Sequence, residues 1–136
     1  MWPSNGRGTV GVVIGVLIVD DQECFRRAAQ SIVSATAEFE AVGECASAEE
    51  ALEAVVQLRP DLALVDVRMP GLDGFETSRR IRAVLPDTVV VLISADPEPD
   101  PDQVEAAGAA AFVPKELLNR SMLQELWQQH GAGAAG

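Results

Sequence analysis

Leu62-Ala63-Leu64-Val65-Asp66-Val67-Arg68-Met69-Pro70-Gly71-Leu72-Asp73-Gly74 sets four apolar residues, a carboxylate and a turn in immediate succession. The apolar run is short and starts just after Pro60. Bounded by turn residues, it reads as a strand buried on both faces, as in parallel sheets. The carboxylate of Asp66 cannot join that packing, and Pro70, Gly71 and Gly74 force the chain to turn. Asp66 should therefore face a surface crevice at the strand's end, which makes it the candidate nucleophile.

Working outward, the same punctuation recurs. Val16-Leu17-Ile18-Val19 reads as a first strand stopped by Asp20-Asp21, and Gln22 to Ala35 carries helical spacing at Phe25, Ala28, Ala29, Ile32 and Val33. Phe39 to Cys45 is a second strand. Ser47-Ala48-Glu49-Glu50 opens the next helix with capping-box spacing, with Leu52, Val55, Val56 and Leu58 inward. After Asp66, Asp73-Gly74-Phe75-Glu76 repeats that spacing ahead of Thr77 to Leu85. Val89 to Ile93 is a fourth strand, ended by Ser94.

Asp96-Pro97-Glu98-Pro99-Asp100-Pro101-Asp102 forbids regular helix and favours an extended loop, from which Asp100 caps a short helix, Pro101 to Ala107, closed by Gly108. Ala110 to Val113 is a fifth strand, and Met122/Leu126 and Leu123/Trp127 mark a last helix from Arg120 to Gln129. Strands alternate with helices and no hairpin signal joins two strands. The expected fold is α/β, a doubly wound five-stranded parallel sheet covered on both faces. Residues 1–15 form an N-terminal extension without assigned role, 16–129 one domain, and 130–136 a flexible tail.

The bulk properties narrow the function. A chain of 136 residues is one domain, able to bury roughly 68% of its unfolded surface. Ten basic against 21 acidic residues leave a net charge of −11, which argues against nucleic acid as a direct partner and for a cation or a basic protein surface. Cys24, Cys45 and the single His130 cannot assemble a zinc set; both thiols read as free and buried, in a reducing cytoplasm. The apolar stretch Thr9 to Val19 runs into Asp20-Asp21 without a small-residue cleavage site, so it reads as strand rather than signal peptide. Nothing reaches the roughly 20 apolar residues a membrane span needs.

In such sheets ligands sit beyond the carboxyl ends of the strands. That edge collects Asp20 and Asp21 after strand one, Asp66 after strand three, Ser94 after strand four and Lys115 after strand five. Three converging carboxylates raise one another's pKa unless a cation is present, and an oxygen-only set suits Mg2+. Removing Asp20 or Asp21 should then raise metal-free stability. A carboxylate nucleophile, a hard cation, a lysine and a hydroxyl are the parts needed to accept a phosphoryl group. Ser94 and backbone N–H groups of the Val67 turn would hold its oxygens.

From the acidic pair, "LVDVRMPGLDG" around Asp66, Ser94-Ala95 and "FVPK" with Phe112 and Lys115, the chain resembles a response-regulator receiver domain of two-component signalling over Val16 to Gln129. The resemblance implies the flavodoxin-like strand order 2-1-3-4-5. It also implies that Asp66 takes phosphate from a sensor histidine kinase, a phosphotransfer protein or a small phosphodonor. Asp21 and Asp66 would ligate Mg2+ directly, Asp20 through water, with the main-chain carbonyl of Arg68 as a further ligand, and Lys115 would pair with the acyl phosphate. Ser94 and Phe112 would form the switch pair, altering the face of helix four, strand five and helix five toward a downstream protein target. Leu117, Leu118 and Trp127 near that face would also suit a homodimer.

Two positions depart from the pattern. Glu116 rather than proline follows Lys115, so a cis peptide is not imposed. Arg68 is large and cationic beside the pocket and could pair with Asp96, slowing water access. Only 21 residues follow Lys115, so the chain reads as a stand-alone regulator or as the receiver fragment of a DNA-binding transcriptional regulator. A phosphorylation-independent pseudo-receiver is another reading. A haloacid-dehalogenase-type phosphatase would want an aspartate where Arg68 stands, and no catalysis beyond the domain's own phosphorylation and dephosphorylation is expected.

Overall fold

The computed structural model describes residues 13–96 and 98–131. The expectations for residues 1–12, for Pro97 and for 132–136 of the tail lie outside the described residues. Five strands, β1 (Ile14–Val19), β2 (Phe39–Cys45), β3 (Leu62–Asp66), β4 (Val89–Ser94) and β5 (Ala111–Pro114), alternate with helices α1 (Glu23–Ser34), α2 (Ala48–Leu58), α3 (Gly74–Val84), α4 (Pro101–Ala106) and α5 (Arg120–His130). A 3₁₀ turn, Lys115–Leu117, joins β5 to α5. All strand pairs are parallel and the sheet order is β2-β1-β3-β4-β5. The expected doubly wound fold is thus observed.

Alternation along the strands builds two cores. Val16, Ile18, Leu62, Leu64, Val91 and Ile93 pack beneath α1 and α5 with Ala29, Val33, Leu123 and Leu126. Leu17, Val19, Ala63, Val65, Val90 and Leu92 pack beneath α2 and α3 with Ala51, Val55 and Ile81. Each fully buried aliphatic side chain contributes roughly 1.5–3 kcal/mol of transfer free energy. β1, β3 and β4 carry most of it, being buried throughout. Chain order reverses between β1 and β3, the switch point beyond whose carboxyl ends ligands bind in such sheets.

Several local expectations are corrected. β1 begins at Ile14, because Ile14 and Gly15 pair with Phe39 and Glu40, and the Asp61 carboxylate accepts the Gly15 N–H at 2.8 Å. α5 includes His130 and is capped by Asn119, whose side chain accepts the Met122 N–H. Cys24 is exposed rather than buried, as are Ala28 and Val56, while Leu118 is buried in the core instead of facing out. Both capping boxes are half-formed. Ser47 and Asp73 accept the N–H groups of Glu50 and Glu76, but Glu50 returns to the Ala46 N–H and Glu76 turns to Arg79 and Arg80. Gly108 takes the expected left-handed conformation, φ +74°.

Candidate functional site

Strand parity determines which chemistry meets. In β1 the side of Val16 and Ile18 continues to Asp20, in β3 that of Leu62 and Leu64 continues to Asp66, and in β5 that of Val113 continues to Lys115. All three therefore emerge above the α1/α5 core. Asp20 is fully buried and Asp66 is 4% exposed, while Asp21 is exposed. Oxygens of Asp20, Asp21 and Asp66 lie within 4.8 Å of one another. No other group of three such side chains clusters this way among the described residues.

Burial, then the Asp20 carboxylate, pushes the Asp66 pKa up to about 6, against the pull of Lys115 and of the Arg68 N–H. The Lys115 ammonium stands 2.6 Å from Asp20 Oδ2 and 3.7 Å from Asp66 Oδ2. Asp20 Oδ1 accepts the Gln22 N–H at 2.8 Å, whereas the buried Oδ2 accepts no well-formed hydrogen bond. Three carboxylates with oxygens this close, one of them buried beside an ammonium, form a donor set suited to a hard divalent cation, with Mg2+ fitting by its oxygen-only chemistry. The Arg68 carbonyl accepts no hydrogen bond among the described residues.

The turn after Asp66 corrects one expectation. The Val67 N–H is already donated to the Ile93 carbonyl at 2.9 Å, extending the β3–β4 ladder, so it cannot hold a ligand oxygen. The Arg68 N–H, 3.4 Å from Asp66 Oδ1, is the donor that faces the pocket. Gly74 is required by close approach: a Cβ there would lie 2.3 Å from the Asp66 carbonyl oxygen and 2.7 Å from Val67 Cα. A cavity of about 530 Å³ flanks this turn, lined by Val67, Arg68, Met69, Pro70, Asp73 and Phe75.

Ser94 and Phe112 have the opposite parity and lie on the α2/α3 side of the sheet. Ser94 is buried, and its Oγ accepts the Asp96 N–H at 3.0 Å. Among the described residues no hydrogen bond links it to Asp66. Phe112 is half-buried, lining a groove of about 340 Å³ with Val104 and Glu105 of α4. Arg68 Nε pairs with Asp96 Oδ2, as its position suggested. The Lys115–Glu116 peptide is trans, as are all those described.

Two contributors were missed in the sequence. Gln22 Oε1 lies 3.4 Å from the Lys115 ammonium, and the Phe25 ring centroid lies 4.6 Å from it. Both belong to the start of α1, where Phe25 also packs on the α1/α5 core. Nothing in the local sequence around Lys115 points to them, because the contacts span about ninety residues. Cys45 is the buried thiol, pushed up to about 11 by burial and then by Glu50, which disfavours its thiolate near neutral pH.

Fold and acidic pocket together define a receiver-type α/β domain with its polar residues at the β1/β3 switch point. The chain belongs to the response regulator receiver domain family, whose model matches residues 16–127. It is 33% identical over 115 residues to the response regulator GacA of Pseudomonas viridiflava, covering 84% of this chain and 54% of that one. It is 36% identical over 108 residues to protein-glutamate methylesterase/protein-glutamine glutaminase 2 of Photobacterium profundum, covering 78% and 27%. The chain thus spans between about a quarter and just over half of these curated relatives. The response regulator domain of Thermotoga maritima CheB superposes with TM-score 0.74 at 27% identity, covering 85% and 95%. A chain of the CheX-CheY-BeF3-Mg2+ complex of Borrelia burgdorferi does so with TM-score 0.75 at 25% identity, covering 88% and 90%. Among the described residues no helix is long and apolar enough to cross a membrane.

Proposed function

We propose that this domain is a signalling switch that accepts a phosphoryl group on Asp66 in the presence of Mg2+. The observation that carries the reading is the convergence of Asp20, Asp21 and Asp66 with the Lys115 ammonium at the switch point. One Asp66 oxygen attacks the phosphorus of a phosphohistidine or an acyl phosphate. The bond from phosphorus to the donor's nitrogen or oxygen breaks, and the donor leaves with the electron pair. Catalysis of that step is largely positioning and charge neutralisation. Asp21, Asp66 and the Arg68 carbonyl would hold Mg2+, with Asp20 through water, and the bound ion would supply positive charge to the transferring oxygens. Lys115 provides the second cation, and the Arg68 N–H a donor to the equatorial oxygens.

Ser94 and Phe112 serve as the readout on this reading. The Ser94 oxygen is occupied by the Asp96 N–H, which leaves its own hydroxyl proton free to donate toward a phosphoryl oxygen. Phe112, half-buried beside α4, then follows inward on this reading and reshapes the α4–β5–α5 face. The partners are then a histidine kinase or phosphotransfer protein and a downstream protein in the cytoplasm, and Leu117 remains exposed on that face for a homodimer. The chain of the Borrelia complex, named with BeF3 and Mg2+, supports the same chemistry by similarity.

The test is incubation with Mg2+ and acetyl phosphate followed by intact mass spectrometry. A phosphate adduct is expected in the native chain and none in Asp66→Asn. An unmodified native chain that also fails to respond to beryllofluoride would favour a pseudo-receiver instead.

A further inference from the structure

We infer that Phe25 is a positioning residue for Lys115, holding its ammonium on the Asp20 side of the pocket and thereby setting how tightly the three carboxylates take a divalent cation. The inference rests on the proposed reading of that pocket and concerns its regulation.

Among the described residues the ammonium has four neighbours: Asp20 Oδ2 at 2.6 Å, Gln22 Oε1 at 3.4 Å, Asp66 Oδ2 at 3.7 Å and the Phe25 ring at 4.6 Å. Three of the four belong to the segment that ends β1 and begins α1. The Lys115 side chain is 11% exposed, so these groups replace most of its water. An aromatic face attracts a cation more strongly as that water is lost. The ring itself is held by packing on the α1/α5 core.

Asp20 has one oxygen committed to the Gln22 N–H. The other, Oδ2, is the oxygen beside the ammonium and is buried. A divalent cation held by Asp21 and Asp66, with Asp20 through water, faces the ammonium across that oxygen, where the two repel each other and compete for its charge. Whatever strengthens the perch of Lys115 on Asp20 therefore weakens the cation. Phe25 offers no ligand atom, and its contact with the pocket's charges is the one with Lys115.

Mg2+ dissociation constants of the full chain, measured by calorimetry with circular dichroism to verify folding, test this. Phe25→Leu keeps an apolar side chain, somewhat smaller, but loses the ring face, and should tighten Mg2+ binding about 2- to 5-fold. Phe25→Tyr should stay at the native value, and Lys115→Met should tighten binding further. Phe25→Leu added to Lys115→Met should change nothing more. An effect of Phe25→Leu that persists without Lys115, or no effect at all, would overturn the inference while leaving the cation site standing. A native constant unmoved by Asp66→Asn would remove the cation site itself, and the inference with it.

Discussion

Arg68 and Asp96 form an ion pair that joins the turn after Asp66, at the end of β3, to the loop after β4. Asp96 is also tied inward, its N–H donated to Ser94 Oγ. The pair thus spans the gap between the ends of two adjacent strands, where water would approach a phosphoryl group on Asp66. Both side chains are exposed, so the pair contributes only about 0.2–1 kcal/mol and is screened by salt. Arg68→Ala and Asp96→Ala should each hasten loss of the phosphate adduct by roughly 1.5- to 5-fold, and the double variant should be no faster than the faster single one. Time-resolved intact mass after acetyl phosphate removal reads this. Unchanged decay in both variants would mean that the pair does not screen the site.

Asp66 gives the metal-free protein a pH dependence of unusual sign. Its folded pKa, pushed up to about 6, lies above that of the unfolded chain. Between the two values the native state holds a proton that the unfolded state has lost. Stability therefore falls as pH rises from about 4 to 6 and stays low above. Asp66→Asn should remove this slope and stabilise the metal-free protein at pH 7 by on the order of 2 kcal/mol, roughly 4–8 °C in melting temperature. Thermal melts in chelator across that range are the measurement. A variant with a lower melting point at pH 7 would show that the Asp66 carboxylate is not strained.

Gly74 ties the helix start to the nucleophile. The atoms that an added Cβ would strike are main-chain atoms of Asp66 and Val67, which cannot rotate away. The Gly74 N–H is also donated to the Val67 carbonyl at 2.9 Å. Gly74→Ala should cost roughly 2–4 kcal/mol in urea unfolding. Because the strain falls on the main chain of Asp66, adduct formation should slow more than in a surface variant of equal stability. A loss below 1 kcal/mol would mean that the turn yields.

The fold was legible because short continuous apolar runs alternate with period-3.6 runs, and because Asp20, Asp66, Ser94 and Lys115 each stop a strand. What was missed has local causes. The start of β1 was hidden because Gly11 and Gly15 interrupt its apolar run, although the pairing of Ile14 and Gly15 with β2 completes the strand. Cys24 was judged by residue type rather than by its place on α1, where it shares the outward face with Ala28 and Ser31, both exposed. Membership of the pocket by strand order was readable, but side-chain pairing was not. The choice of Lys115 between Asp20 and Asp66 depends on Gln22 and Phe25, which become neighbours only after folding.

That choice separates two acids which carboxylate repulsion alone treats alike. Asp21 is exposed, and its charge adds to the crowding around Asp66. Asp21→Asn should therefore weaken Mg2+ binding while leaving metal-free melting unchanged or slightly higher. Asp20 also weakens Mg2+ binding when removed, but its buried carboxylate caps the Gln22 N–H and neutralises the Lys115 ammonium at 2.6 Å. Asp20→Ala leaves a donor unpaired and a largely buried ammonium dependent on Asp66 at 3.7 Å. Losing a partner of a buried charge costs several times more than relieving a surface repulsion gains. Metal-free Asp20→Ala should melt below the native chain, by roughly 3–8 °C for a loss of about 1–2 kcal/mol. A rise in both variants would mean that Lys115 is held well enough by Asp66 alone and that repulsion dominates the pocket.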